Sequence, residues 1–360
     1  MSRILIKEKM KSQGDTIKIL WFPRLQFDTD RLHITTWREM CRELEQLGCK
    51  VRIAIAGKDS GSVFDREYTP IFLIRKRYFR ILTFWLFGYI KFFYTYIVFR
   101  PNVVILDVFS YWFSMPFVLL PKRSCLFLLD NRTPIYNSFN KVSTWEDKVS
   151  KYYTKLCFLY CKFLLDGMTV ITEHYKQRVH RECGFKTSRL GVWSSGVNIE
   201  QFSNINRERP AFLKDKFVLM QHGGITYNRG LLETLDAMSM VEEDIVLVLL
   251  GEGDAEGEIL RRIENYGLKN RVYLFPRVPH SELPLCITYC DCAIMAYPNI
   301  EYWNNNNPIK LLEYLSMGKV VICTDMWTFR DVCGDTKASV YISDNKPEFI
   351  AHAIDYCYKN

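Results

Sequence analysis

The sequence predicts an α/β protein with two domains, each built on a parallel β-sheet covered by helices. Short apolar runs alternate with helix-length stretches along the chain, which is typical of parallel sheets. A polar, proline-bearing stretch at residues 199–216 interrupts this alternation, and a second alternating series follows it. The 360 residues suffice for two separate hydrophobic cores. We therefore expect one domain over residues 1–200 and another over residues 201–360.

Apolar periodicity and breaker residues define the elements of the first domain. One helical pattern ends at Gly48, and another follows the fifth strand. The predicted strands are Ile17–Phe22, Val51–Ala56, Val103–Leu106, Cys125–Leu129 and Met168–Ile171, and the predicted helices are Thr36–Leu47 and Thr172–Cys183.

The same signals define the second domain. Its predicted strands are Phe217–Gln221, Ile245–Leu250, Val272–Phe275, Cys292–Ala296 and Lys319–Cys323, and its predicted helices are Gly230–Met240, Glu256–Tyr266, Ser281–Tyr289, Lys310–Met317 and Pro347–Tyr358. Both domains therefore have the alternation of a Rossmann-like sheet. In such open sheets ligands bind at the carboxyl ends of the strands, so the loops that follow the strands are the candidate sites.

Charge is distributed unevenly between the two predicted domains. Residues 1–200 contain 32 Lys and Arg against 18 Asp and Glu, a difference of +14, and the remaining residues contain 16 against 22, a difference of −6. The two values sum to the net charge of +8. A basic first domain favours a phosphate-bearing partner or an anionic membrane surface. We expect no nucleic-acid partner.

The twelve cysteines predict reduced thiols in a cytoplasmic protein. Most lie in apolar stretches and no CxxC pair occurs, while Cys290 and Cys292 are too close together for an ordinary zinc knuckle. Residues 1–14 are polar and basic, unlike a secretory leader. We expect no metal site.

The segment Arg75–Arg100 is unusually apolar. Ile81–Phe99 contains nine aromatic residues and a single charge, Lys91, so a transmembrane helix has to be considered. A lysine near mid-span costs roughly 2.5–3.5 kcal/mol on insertion scales, and the aromatic content favours a helix that lies in the membrane interface. Ordinary burial or an oligomer contact stays open as the alternative. A helical wheel places five side chains on the one narrow face that is not apolar: Arg80, Thr83, Gly88, Lys91 and Thr95.

A glycine pair between a predicted strand and a predicted helix indicates phosphate binding. Gly223 and Gly224 allow a close approach of the backbone to a ligand, and the following helix N-terminus attracts anions. Arg229 lies at that terminus, where a cation helps an anionic ligand rather than the helix dipole. Gly251 and Gly253 form a similar tight turn after the next strand, which taken alone is more often a matter of packing.

Four consecutive asparagines, residues 304–307, precede a helix that Pro308 can start. Lys310 and Glu313 are three residues apart on one face of that helix, near its N-terminus. A lysine for phosphate and a carboxylate for a ribose diol suit a nucleotide sugar. An ordinary ion pair beside a solvated polar loop is the alternative.

In their order and spacing, these pieces resemble the nucleotide-sugar-binding half of glycosyltransferase family 4. The matching stretches are GGITYNRGLLETLDAM, VLVLLGEGDAEGEILRRI, RVYLFPRVPHSELPLCITYCDCAIMAYP and PIKLLEYLSMGKVVICT. In the first half, ILWFPRLQFDTD and DGMTVITEHYKQRVHRECGF look like the family's acceptor domain. The resemblance implies the GT-B fold, in which two Rossmann-like domains with parallel sheets face a central cleft.

The resemblance also implies roles for individual residues. Arg229 takes the place of the family's phosphate-binding Lys. Glu313 takes the place of the second Glu of the family's E-x7-E motif, which binds the nucleotide ribose. Asn305 stands where the first Glu of that motif is expected, and Gly224 stands where the family usually has Arg. Asp130, followed by Asn131 and Arg132, replaces the usual His-Asp at a strand end of the acceptor domain.

These roles form one expected site. Cations and loop amides would stabilise the leaving diphosphate, Asn305 to Asn307 would contact the sugar hydroxyls, and Asp130 would face the acceptor side. The residues expected in catalysis are Arg229, Lys310, Asn305 and Asp130. The residues expected to bind the donor are Gly223, Gly224, Gly251, Gly253, Asn306, Asn307 and Glu313.

The expected function is a metal-independent, retaining transfer of a hexose. The sugar would come from a UDP- or GDP-sugar and go to a lipid-linked or membrane-proximal acceptor, on the cytoplasmic face of a membrane. A nucleotide-sugar epimerase of the same fold is one alternative. A non-catalytic protein of this fold is another, since the first Glu and the loop Arg are absent.

Overall fold

A computed structural model describes residues 16–23, 32–56, 68–72, 74, 77–121, 124–132, 145–203, 205 and 207–360. The chain divides into two compact units, Met1–Ser194 and Ser195–Asn360. Each unit contains one parallel sheet flanked by helices, as predicted. The division falls between Ser194 and Ser195, whereas the sequence prediction put the boundary at residue 200.

The first unit is built on a parallel sheet of seven described strands in the order β3-β2-β1-β4-β5-β6-β7. The chain returns across β1 between β3 and β4, and this reversal is the topological switch point of a Rossmann-like sheet. The strands are β1 (Lys18–Phe22), β2 (Lys50–Ala56), β3 (Tyr68–Ile71), β4 (Val103–Leu106), β5 (Leu126–Asn131), β6 (Gly167–Val170) and β7 (Leu190–Val192). The helices are α1 (Leu32–Gln46), α2 (Arg77–Phe99), α3 (Met115–Val118), α4 (Trp145–Leu164) and α5 (Glu173–Cys183).

The two faces of this sheet carry separate cores. Alternate residues of a strand point to opposite faces, so Leu20 and Phe22 of β1 pack with α2, α4 and α5, whereas Ile19 and Trp21 pack with α1. The strands are buried on both faces, which explains why they are continuous apolar runs.

The orientation of α2 is the reverse of what its composition suggests. Thr83, Gly88 and Thr95, expected on its polar face, point into the core together with Phe84 and Phe92. Gly88 is needed there, because a Cβ atom would lie 3.2 Å from the Phe113 ring. The small side chains therefore let the helix approach its neighbours closely, and the large apolar side chains point outwards.

The outer face of α2 is accordingly apolar. Its exposed large side chains are Phe79, Leu82, Leu86, Phe87, Ile90, Phe93, Tyr94, Ile97 and Val98. Among the described residues, Phe79–Phe99 is the one helical segment long and apolar enough to cross a membrane, with a mean hydropathy of 1.4. A core helix of a soluble domain can pass the same test of length and composition, although its outer face would not normally be this apolar.

The second unit is built on a parallel sheet of six described strands in the order β10-β9-β8-β11-β12-β13. The strands are β8 (Phe217–His222), β9 (Ile245–Leu250), β10 (Val272–Phe275), β11 (Cys292–Met295), β12 (Val320–Thr324) and β13 (Ser339–Ile342). The helices are α6 (Leu231–Met238), α7 (Glu256–Asn265), α8 (Leu283–Thr288), α9 (Glu301–Asn304), α10 (Ile309–Ser316), α11 (Trp327–Cys333) and α12 (Pro347–Lys359).

The predicted strands and helices are confirmed, with ends that differ by up to four residues. The sequence prediction missed the edge strands β3, β7 and β13 and the helices α3, α4, α9 and α11. Short edge strands give a weak periodic signal, and β3 contains Pro70, which is unusual inside a strand. The described residues of the predicted linker (199–203, 205 and 207–216) are irregular apart from a 3-10 turn at Ala211–Leu213.

Candidate functional site

The loops that follow β8, β9 and β11 end at the same edge of the second sheet. β8 lies between β9 and β11 in the sheet. The chain therefore runs from β8 to β9 and β10 on one side, and then crosses back to β11 on the other side of β8. The carboxyl end of β8 is therefore the topological switch point, where open α/β sheets bind ligands. The glycine-rich loop after β8 and the N-terminus of α10 both lie there.

Lys310 reaches from α10 to the glycine loop. Its Nζ lies so close to Gly223 that a Cβ atom at that glycine would be 2.1 Å away, and the φ of Gly223 is +101°. The positive φ favours glycine at position 223, and a side chain there would displace the end of the Lys310 side chain. Lys310 Nζ is buried and has no hydrogen-bond partner among the described residues. Burial, with a contribution from Arg229, lowers the pKa of Lys310 well below its ordinary value.

Arg229 is the second cation at this point. Its guanidinium lies 5.4 Å from the ring centre of Trp303 and 5.8 Å from that of Tyr297, so two aromatic rings hold it. Its Nη1 donates to Tyr297 Oη at 3.4 Å. The guanidinium also lies against Gly224, where a Cβ atom would be 3.6 Å from Arg229 Cζ. Arg229 and Lys310 therefore present two positive charges to the same glycine loop.

Glu313, one turn after Lys310, is held by two histidines. Its Oε1 accepts a hydrogen bond from His280 Nε2 at 2.8 Å, and its Oε2 lies 3.2 Å from His222 Nε2. Gln201 Nε2 lies 3.4 Å from His280 Nδ1, which suits the tautomer with its proton on Nε2. Glu313 is only 1% exposed. We refer to His222, His280 and Glu313 as the His–Glu–His cluster.

The His–Glu–His cluster keeps a negative charge behind the two cations. Burial raises the pKa of Glu313, but the hydrogen bonds from His222 and His280 outweigh burial and bring the pKa to about 2. Burial lowers the pKa of His222, which favours the neutral imidazole, and its Nε2 lies 3.2 Å from Glu313 Oε2. The Glu313 charge also opposes the effect of burial on the pKa of Lys310.

A comparison with protein-family models identifies the part of the chain that holds this site. Residues 202–360 match the model of the glycosyl transferases group 1. The match spans 159 of the 360 residues, and this region is similar to a group 1 glycosyltransferase domain. The match confirms the enzyme class expected from the sequence, a glycosyltransferase, whereas the finer assignment to family 4 stays a prediction. The comparison with curated protein sequences gives no match.

Solved structures share the fold of the whole chain. HepE of Anabaena, crystallised with UDP, has a TM-score of 0.70 at 11% identity, covering 95% of this chain and 90% of its own. Sucrose-phosphate synthase from Thermosynechococcus elongatus has a TM-score of 0.72 at 12% identity, covering 96% and 90%. A TarM variant from S. aureus, crystallised with UDP and α-GlcNAc-glycerol, has a TM-score of 0.67 at 10% identity, covering 96% and 93%. At these identities the likeness shows the fold alone, and it confirms the predicted GT-B fold with two Rossmann-like domains.

In this glycosyltransferase domain Gly251 and Gly253 act in loop packing. A Cβ atom at Gly251 would lie 1.8 Å from Gly223 O, and one at Gly253 would lie 2.1 Å from Ile225 O. The Gly223 amide donates to Leu250 O at 2.8 Å, and the expectation that this amide binds phosphate stays a prediction. The expected donor contacts of Gly251 and Gly253 stay a prediction.

The asparagine run closes a turn instead of forming an open loop. Asn304 is the last residue of α9, and its Oδ1 accepts from the backbone N–H of Trp327, the first residue of α11. The buried Asn305 donates through Nδ2 to Glu301 O at 2.6 Å, and Asn306 donates to Tyr302 O at 3.0 Å. These side chains satisfy backbone groups at the end of α9. Asn305 is buried at the end of α9, and its expected contact with the sugar stays a prediction.

Asn307 differs from the other members of the run. Its Nδ2 donates to Ser195 O at 3.0 Å, while its Oδ1 is buried without a hydrogen-bond partner among the described residues. A buried acceptor of this kind is normally satisfied by a ligand or by water. Asn307 Oδ1 is therefore available to a ligand.

Two other expected site residues have partners inside the protein. Asp130 lies in the first unit, at the end of β5, and is 3% exposed. Its Oδ1 accepts from Thr169 Oγ1 at 2.7 Å and its Oδ2 pairs with Arg132 Nε at 2.9 Å, so neither oxygen is presented to a ligand. The expected ribose contact of Glu313 is likewise not the arrangement seen, because both its oxygen atoms contact histidines.

The sequence analysis missed four residues of the site. His222 and His280 bind Glu313, while Tyr297 and Trp303 hold Arg229. His222 directly precedes the glycine pair, so its place at the end of β8 could have identified it. His280 precedes α8, Tyr297 follows β11 and Trp303 lies in α9. Only the folded sheet brings these residues to Glu313 and Arg229.

We predict that Gly253→Ala destabilises the second unit, because its Cβ atom would displace the backbone at Ile225 and with it the glycine loop. Gly257 in α7 is the matched control, since a Cβ atom there meets nothing within 4 Å. Gly257→Ala should stabilise the unit by up to about 1 kcal/mol, because alanine favours helix. Urea unfolding of both variants measures the difference, and equal stabilities would contradict the packing role.

We predict that Lys310→Met stabilises the ligand-free protein by about 1–3 kcal/mol, because it removes a buried ammonium that lacks an acceptor. Lys319 is the control: its Nζ donates to Thr288 O and Cys290 O, so Lys319→Met should be destabilising. Thermal unfolding measures both effects. Inorganic pyrophosphate should raise the Tm of the wild type and leave that of Lys310→Met unchanged. A lower Tm for ligand-free Lys310→Met would show that the ammonium has a partner.

Proposed function

We propose that the protein transfers a hexose from a UDP- or GDP-sugar to a glycan or lipid-linked acceptor at a membrane surface, with retention of anomeric configuration. The observation that carries the proposal is the buried Lys310 ammonium, which lies beside Arg229 against the glycine loop and has no acceptor among the described residues. Two adjacent cations repel each other unless an anion lies between them. A diphosphate supplies such an anion, with several oxygen acceptors.

Charge stabilisation is the chemistry that this arrangement suits. Departure of the sugar leaves a nucleoside diphosphate on which negative charge develops. Lys310 and Arg229 are held in place before the reaction, so their charges stabilise that group without reorganisation. The aromatic rings of Tyr297 and Trp303 fix Arg229, and the His–Glu–His cluster fixes the turn of α10 that carries Lys310.

The same pair of cations supports a reaction that is independent of divalent metal. Metal-dependent transferases use an ion to neutralise the leaving diphosphate, and here two side chains have that role. The HepE and TarM structures, which contain UDP, support a uridine nucleotide as the first donor to test. Retention of configuration follows from the resemblance to family 4.

The membrane location is supported by the first unit. The outer face of α2 is covered by large apolar side chains, and a helix of this kind suits the membrane interface. The twelve cysteines are all free thiols, which supports a reducing compartment. We therefore place the protein on the cytoplasmic face of a membrane, attached peripherally.

The function is tested with a panel of UDP- and GDP-sugars, vesicles and a membrane lipid extract as acceptor. We expect one donor to release nucleotide in an acceptor-dependent manner, with the same rate in EDTA. Lys310→Met and Arg229→Gln should each lower kcat by about 10²-fold, as removal of one charge-stabilising donor does. Lys269→Gln, a change of an exposed lysine in an ion pair, is the control.

Other outcomes of this assay favour the alternatives. Interconversion of two nucleotide sugars without nucleotide release would identify an epimerase. Donor binding without turnover, for every donor and acceptor fraction, would identify a non-catalytic protein. Loss of activity in EDTA that is restored by a divalent metal would contradict the role of the two cations.

The membrane location is tested with Leu86→Glu and Ile90→Glu on the outer face of α2. These side chains are 59% and 56% exposed, so folding should tolerate the change while co-sedimentation with vesicles decreases. Leu260→Glu in α7, where the side chain is 55% exposed, is the matched control and should sediment as the wild type does. Unchanged sedimentation of the α2 variants would contradict the interfacial helix. Protein that stays in the membrane after an alkaline carbonate wash would indicate that α2 spans it.

A further inference from the structure

Helix α4 carries a second apolar stripe that the core does not use. Its inner side packs into the core through Cys157, Phe158 and Cys161. On its outer side, large apolar residues recur at alternating spacings of four and three residues, which is a helical period. These residues are exposed, and the first and last of them have 77% and 74% of their surface exposed. The members of this outer stripe are Trp145, Val149, Tyr152, Leu156, Leu159 and Phe163.

Three exposed lysines run beside the outer stripe. At 100° per residue, Lys148, Lys151 and Lys155 fall within about 60° of one another on the helix and directly next to the stripe. The helix contains two acidic residues, Glu146 and Asp147 in its first turn, and none from Lys148 to its end at Leu164. An apolar stripe bordered by a row of lysines is the pattern of a helix that lies on an anionic membrane.

Helices α4 and α2 belong to one layer. Both pack on the same face of the first sheet, and the Trp85 ring of α2 stacks on the Tyr153 ring of α4 with centroids 6.2 Å apart. Tyr111 packs on Tyr153 and on Tyr160, which closes the space between the helices. The outer sides of α2 and α4 therefore face the solvent from adjacent positions in this layer.

The two helices differ in charge. The outer side of α2 has nine large apolar residues and one exposed lysine, Lys91, whereas α4 has six apolar residues and three exposed lysines. In the interface of a bilayer, apolar insertion and attraction to anionic headgroups contribute separately to binding. The larger exposed apolar surface is therefore on α2, and more of the exposed lysines are on α4.

We propose that α4 is the charge-sensing half of a two-helix membrane contact, in which its lysine row binds the phosphates of anionic lipids while its apolar stripe lies among the acyl chains. This inference rests on the proposed membrane location. It adds that the preference for anionic lipid resides in α4, whereas α2 supplies attachment that is independent of lipid charge. Two α4 helices paired as a dimer would bring two rows of like charge close together, so a second copy is the less favourable occupant.

The test compares vesicles of phosphatidylcholine alone with vesicles that also contain phosphatidylglycerol. The variant Lys148→Gln with Lys151→Gln and Lys155→Gln should lose the preference for phosphatidylglycerol, with roughly 100-fold weaker partitioning onto anionic vesicles, since a lysine near such a surface contributes about fivefold. Its binding to neutral vesicles should match that of the wild type. Glutamine replacement of the exposed Lys214, Lys337 and Lys359 in the second unit is the control and should change neither.

The outcomes for α2 and α4 are distinguishable. Leu86→Glu should weaken binding to both kinds of vesicle, because it acts on insertion. If the lysine variant keeps its preference for anionic vesicles, the inference about α4 is overturned while the membrane location stands. If neither the wild type nor any variant binds vesicles, the membrane location fails as well.

A second copy as the occupant of the outer stripe is tested without lipid. Leu156→Glu combined with Leu159→Glu should leave the molar mass in light scattering unchanged and weaken vesicle binding. A dimeric wild type that becomes monomeric in this variant would assign the stripe to a dimer contact and overturn the proposal.

Discussion

The second unit is organised around the close approach of Lys310 to the glycine loop. A buried ammonium without an acceptor costs free energy, and its lowered pKa reports that cost. Gly223 makes the approach possible, because any side chain there would occupy the position of Nζ. Gly251 and Gly253 in turn let the neighbouring loop support the backbone of the glycine loop. An anionic ligand would relieve the repulsion between Lys310 and Arg229, and this favours the binding of an anion.

The remaining residues of the site keep the two cations in place. Trp303 donates from its indole N–H to Asn228 O at 2.9 Å and lies against the guanidinium of Arg229, so it fixes both the loop and its charge. Glu313 cannot act as a freely exposed ligand, because the histidines occupy both its oxygen atoms. Its negative charge instead lies behind the site, where it partly offsets the repulsion between the cations. The asparagines complete the arrangement by closing the end of α9.

The first unit has the same type of sheet, but its helix α2 has an unusual orientation. A helix normally turns its apolar side towards the core and its polar side towards water. In α2 the core receives Thr83, Gly88 and Thr95, and the solvent side is apolar. The dense aromatic layer around Phe113 and Trp112 needs small partners, which explains the inward side. The outward side is apolar and exposed, and so is the outer stripe of α4.

The fold and the position of the site could be predicted from the sequence, because both depend on local patterns. Alternation of apolar runs and helix-length stretches determines a parallel sheet, and a glycine pair after a strand marks the loop where an anion binds. Arg229 directly precedes Gly230, and Lys310 follows Pro308 by two residues. Both residues that mark a helix start are visible in the sequence, so the placement of Arg229 and Lys310 at helix starts was also predictable. That Asn305 and Asp130 are buried was not predictable in the same way. Residue type and spacing identify a polar side chain but do not tell which internal groups will use its hydrogen-bonding atoms.

The sequence by itself determined the two-domain α/β architecture, the glycine loop and the cations that approach it, since short-range periodicity and backbone preference specify them. Only the tertiary structure decided which side chains face a ligand and which face one another. The His–Glu–His cluster joins residues 222, 280 and 313, and the layer formed by α2 and α4 joins two helices that are separated by two strands. Contacts between distant parts of the chain form only when the sheets assemble, so hydrogen-bond partners, burial and the direction of a helix face depend on the assembled core.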